Sequence, residues 1–187
     1  MIWLDLTSEL LPDLLIGNLD ACVKRVELEL DKIPPSPFHL IKEENFTNDP
    51  KQVAQFVDSF IENIRIKYEI KAIYAETNGF DINPDRWFFD LFAFEEYGGR
   101  DDYDWLANYS SVFDQSMVLK SMEELQSVYA SKAGINLEYT EARGLSSLLI
   151  VIKFQKLIQS SVPNMKYLQF PLLVTSHDYD FIYEFKP

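Results

Sequence analysis

The chain has 187 residues, 47% of them hydrophobic and 14% aromatic, with only six glycines, which excludes a disordered or fibrous polymer. A chain of this size buries roughly two-thirds or more of its unfolded surface, so a full core is expected without disulfide or metal staples. Thirty acidic residues against seventeen basic ones leave a formal charge of -13. That charge repels phosphate backbones and anionic headgroups, so neither nucleic acid nor a membrane surface is expected as a partner.

At the N-terminus Asp5, Glu9 and Asp13 interrupt the apolar residues and no basic leader precedes them, so no secretory signal is expected. The spacing of Leu19, Cys22, Val23, Val26, Leu30 and Ile33 predicts a helix, stopped by Pro34, Pro35 and Pro37. Cys22 is the one cysteine, which fits a reducing compartment and, among valines and far from any histidine, reads as a buried inert thiol. A short extended piece is expected over 38–41. Asp49 and Pro50 then supply an N-cap and a first-turn proline for a helix lined by Val53, Phe56, Val57, Phe60, Ile61 and Ile64.

Strands are predicted over 70–76 and 86–95, joined by a link too short for a crossover and therefore paired antiparallel. In the second, Trp87, Phe89, Leu91 and Ala93 face one way and Phe88, Phe92 and Phe94 the other, which predicts a central strand covered on both sides. Asp90 then falls on a face that should be dry, making it the candidate buried acid: a satisfied structural carboxylate or the floor of a pocket. Ser121 and Glu124 resemble a capping box opening a helix that Gly134 closes, and a last helix is expected over 141–160. Its apolar run, 145–152, holds two serines and ends at Lys153, short of the roughly 20 residues that span a bilayer. Strands over 168–175 and 180–185 end the chain, and Pro171 argues for an edge position. The expected fold is one α+β domain over residues 1–187, a mainly antiparallel central sheet packed with about four helices.

Chemistry is sparse. Asp81, Asn83 and Asp85 alternate like the first calcium-loop ligands, but Arg86 and Phe92 stand where such a loop needs glycine and glutamate. Asp101, Asp102 and Asp104 form the densest carboxylate group, yet no glycine-rich phosphate cradle accompanies them. His177 beside Asp178 reads either as an acid/base pair or, more plainly, as a turn. No catalytic residue and no cofactor are assigned, and an enzyme is the lesser expectation.

The most informative stretch is 74–105, where aromatic and acidic residues interleave against only Arg86 and Arg100. Rings carry large contact area and clustered carboxylates project a negative field, a combination that suits gripping a basic protein. Trp87, Tyr97, Asp101, Asp102, Tyr103, Asp104 and Trp105 are the candidate contacts. The expectation is a cytoplasmic protein-binding module, an inhibitor or immunity-type protein that covers a basic partner surface. A metal-dependent hydrolase or phosphotransfer enzyme using the carboxylates between Asp81 and Asp104, and a homo-oligomeric regulatory or scaffold subunit, are the alternatives.

Overall fold

The computed structural model describes residues 2–80 and 82–187, with side chains from Asp5 onward. In chain order the regular elements are helices α1 (Ile2–Leu15), α2 (Leu19–Leu30) and α3 (Pro50–Ile64), strands β1 (Ala72–Thr77), β2 (Phe88–Phe94), β3 (Ser111–Val112) and β4 (Met117–Val118), helices α4 (Glu123–Ala130) and α5 (Thr140–Ser161), and strands β5 (Leu172–Ser176) and β6 (Tyr183–Phe185). The strands make one sheet in the order β3-β2-β1-β5-β6, with β4 pairing β2 further along the edge that β3 occupies. The result is a single α+β domain around a mixed, mostly antiparallel sheet.

Helix α5 is the hub. Leu145, Leu148, Leu149, Ile152, Phe154 and Ile158 are all buried, as are Ser146, Ser147 and Gln155 on its other sides. A segment so apolar around its circumference belongs at the centre of a fold. By length and composition 137–164 could cross a bilayer, but 78% of its apolar window is buried inside this fold. Gln155 ties the helix to the C-terminal hairpin by donating from Nε2 to the carbonyls of Val174 (3.1 Å) and Phe181 (2.7 Å).

Lys153, only 5% exposed, donates to the carbonyls of Ile41 and Glu44, both at 2.5 Å. Those carbonyls lie in and just beyond a 3-10 turn spanning Pro37–Lys42, where the sequence predicted extended chain. Burial pushes the Lys153 ammonium below its ordinary range. Burial likewise pushes the Cys22 thiol up to about 11, as suits an inert core cysteine.

Helix α3 begins as the sequence predicts, with Asp49 accepting from Lys51 N at 3.0 Å and Pro50 in the first turn. Helix α1 was not foreseen. Leu6, Leu10 and Leu14 recur every four residues and are buried, but Pro12, a helix breaker in most contexts, sits within it. The capping box does not form either. Ser121 has φ +72° and bonds Thr47, so α4 starts at Glu123 without a side-chain cap, and it ends at Ala130, ahead of Gly134.

Strands β1 and β2 pair antiparallel, Tyr74 opposite Phe92 and Glu76 opposite Asp90. Strand β5 is interior rather than an edge: it pairs parallel with β1 and antiparallel with β6. Pro171 stands just before it and offers its carbonyl to Ile73 N at 2.9 Å, so its missing N–H costs no ladder bond. Alternation sends Ile73, Ala75, Phe89, Leu91, Leu172 and Val174 into the helical layer, and Ala72, Tyr74, Phe94 and Leu173 to the opposite face.

The lowered Lys153 pKa makes a signed prediction. Between the native value and the ordinary value of 10.5 the unfolded chain binds more protons than the native one, so this residue's contribution to stability rises with pH through that window. Replacing Lys153 with Met should destabilise the fold by about 1–3 kcal/mol by stranding two carbonyls. In chemical denaturation the gap between wild type and variant should widen as pH is raised toward 10.5.

Candidate functional site

Among the described residues no α-helix covers the second face of the sheet. Its buried residues Ala72, Tyr74, Phe94, Leu173 and Ile182 are roofed by Tyr97, Tyr103, Trp105 and Leu106, from the segment between β2 and β3. Two glycines make that return possible. Gly99 adopts φ +83°, a conformation glycine takes without strain, and a β-carbon on Gly98 would collide with the Trp105 indole. Trp105 packs edge-on against Phe94 (centroids 4.9 Å) and Tyr97 (5.6 Å) and donates its indole N–H to Gly99 O at 3.2 Å. A short 3-10 turn over Asp104–Ala107 follows, with Asp102 Oδ1 accepting from Asp104 N at 2.8 Å.

Glu184 on β6 locks the segment down. Its side chain is fully buried and accepts from Tyr97 Oη at 2.6 Å and from the Arg100 guanidinium, with Lys186 Nζ 3.5 Å away. Burial, reinforced by the bond to Glu184, raises the Tyr97 phenol above its ordinary range. Burial also raises Tyr103, with Arg100 opposing the effect.

Of the residues singled out from the sequence, Asp101, Asp102 and Asp104 stand exposed on the outer side of this segment, while Tyr97, Tyr103 and Trp105 are half-buried with rings turned to the sheet. The acids and the aromatics are therefore brought together as a roof, with charge outside and rings beneath. Trp87 does not join them. It is 1% exposed on the helical face and donates its indole N–H to Phe80 O at 3.2 Å, so it is core and presents nothing to a partner. Asp90 is not a buried acid: it is half-exposed and accepts from Ser116 Oγ at 2.5 Å, because the roof stops short of its end of the face. Asp81 lies outside the described residues. Asn83 and Asp85 are exposed in the turn, where Asn83 O accepts from Asn78 Nδ2 at 3.5 Å. Among the described residues no three His, Cys, Asp or Glu side chains converge as a metal site would require.

Sequence reasoning missed the polar group at the uncovered end of this face. Tyr74 Oη donates to Glu76 Oε1 at 3.0 Å, and His177 Nδ1 lies 3.3 Å from the same oxygen. Burial, with Glu76 beside it, drives the Tyr74 phenol far above its ordinary range, so it stays a donor. The parallel pairing of β1 with β5 brings Glu76 beside His177, 101 residues apart in sequence, and local pattern holds no signal for that contact. His177 does sit in a turn: Asp178 has φ +64°, and its carboxylate lies 3.7 Å from the other ring nitrogen.

Comparison of the chain with protein-family models, with characterised proteins and with solved structures gave no match.

The roof depends on Glu184, so replacing it with Gln should cost about 1.5–3 kcal/mol, the worth of hydrogen bonds to a charged group. It should also loosen residues 97–109, seen as faster amide exchange in that segment, with α5 amides unchanged. Gly98→Ala should reach a similar state by displacing Trp105, with increased quenching of tryptophan emission.

Proposed function

We propose that this chain is an acidic protein-binding module that covers a basic surface on a partner protein, as an inhibitor or immunity-type protein does. The observation that carries the reading is the exposure of Asp101, Asp102 and Asp104 on a segment pinned by Arg100, Tyr97 and Trp105. Carboxylates held in place before encounter lose less freedom on binding than carboxylates on a mobile loop. With a formal charge of -13 behind them, they steer a basic surface into register and raise its association rate.

The half-buried rings do different work from the one expected of anchors. Tyr97, Tyr103 and Trp105 hold the platform against the sheet, while the acids make the first contacts. This division supports a binding surface tuned for rate and specificity, since rim charges act chiefly on the association step.

The test replaces Asp101, Asp102 and Asp104 together with Asn, which keeps shape and removes charge. A basic protein captured from host lysate at low salt and released by a salt step supplies the partner. The triple variant should then bind it at least about tenfold more slowly at low salt, with a flatter salt dependence. Unchanged association rate and unchanged salt dependence would remove this segment from the mechanism.

A further inference from the structure

Where the roof ends, the second face of the sheet opens into a cavity of about 320 Å³. One wall is aromatic: Tyr74, Phe92 and Tyr109 follow one another with centroids 5.9 and 5.1 Å apart. Leu106, His177 and Asp178 complete the lining. Glu76 lies among them with its side chain 22% exposed. Its Oε1 takes both the Tyr74 hydroxyl and the His177 contact, and Oε2 has no partner among the described residues.

The sheet register adds a second observation. Glu76 stands directly opposite Asp90 in the antiparallel β1–β2 pair, where like charges repel. No lysine or arginine of the described residues forms an ion pair with either carboxylate; Asp90 has only the Ser116 hydroxyl, and Glu76 only Tyr74 and His177. Two carboxylates across a strand pair, next to a cavity lined by Tyr74, Phe92 and Tyr109, make surroundings that favour a cation, with His177 the one titratable base at its edge among the described residues. Aromatic faces attract a cation directly, and a planar guanidinium stacks on them while its fork meets a carboxylate.

We propose that this cavity receives an arginine side chain of the partner protein, its guanidinium bound by Glu76 Oε2 and stacked against Phe92 and Tyr109, with Asp178 at the entrance. The source of the arginine rests on the protein-binding function proposed above; the affinity of the cavity for a guanidinium does not. The cavity adjoins the acidic segment through Leu106 and Tyr109, so one basic surface can meet the exposed acids and insert one side chain here. A lysine is the poorer occupant, since its compact, strongly hydrated ammonium has no plane to stack.

The probe is N-acetyl-arginine methylamide, titrated into the full chain, with the uncharged citrulline analogue as control and the His177 and Tyr109 ring resonances as readout. Saturable shifts with a dissociation constant of about 1 mM are expected for the arginine probe, as suits a small fragment. The citrulline analogue should bind at least about tenfold more weakly. Glu76→Gln should cost a similar factor, and should that variant fail to fold, Asp178→Asn at the exposed rim and Tyr109→Ala read the same cavity. No saturable shift, equal binding of the citrulline analogue, or full affinity in the variants that fold would overturn the proposal. Arginine binding in a protein whose partner ignores Asp101, Asp102 and Asp104 keeps the cavity and sinks the acidic-segment reading. The reverse pattern sinks the cavity alone.

Discussion

A sheet with two apolar faces has to be covered twice, and the helices of this chain are committed to one of them. Helix α5, buried around most of its circumference, needs α2 and α3 beside it as much as it needs the sheet beneath. The second face of β1, β2 and β5 is left to the connection between β2 and β3. A connection without an α-helix offers no continuous apolar face, so the segment covers what it can with its largest side chains, Trp105, Tyr97 and Tyr103. It reaches Phe94 and Tyr74 but not Asp90, and the uncovered remainder is where polar groups gather.

That constraint explains the division of charge. A roof of rings one residue layer thick must be held by more than burial, and Glu184 supplies the fixed point, fully buried and shared between Tyr97 and Arg100. A buried carboxylate is costly unless its oxygens are satisfied, and once satisfied it resists any motion that would leave it bare. The acids between Arg100 and Trp105 then have only one direction available, outward. The same packing makes the segment a fixed platform, which supports the binding role proposed for its exposed carboxylates.

How much of this was legible in the sequence depended on the range of the interactions involved. Helix α3, with its Asp49 cap and six-position apolar face, and the antiparallel β1–β2 pair, with its short link, are local statements and read correctly. Helix α1 was not expected: the N-terminus is read only for its acidic interruptions, yet Leu6, Leu10 and Leu14 are buried on a helix that carries Pro12 within it. Pro171 misled because its effect depends on whether its nitrogen faces a ladder, and the strand starts one residue later. Trp87 was a reasonable anchor by composition, but which of two alternating faces turns to the helices is decided by the whole sheet.

The sequence by itself determined the α+β class, the antiparallel sense of the β1–β2 pair and the concentration of acids and rings over 74–105, because link length, turn residues and charge are properties of neighbours. Only the tertiary structure decided that Tyr97, Tyr103 and Trp105 roof the sheet, that Asp90 stands half in water, and that Glu76 meets His177. Those facts depend on the parallel pairing of strands about a hundred residues apart and on how far the β2–β3 segment reaches across a face, and neither length nor local pattern encodes them.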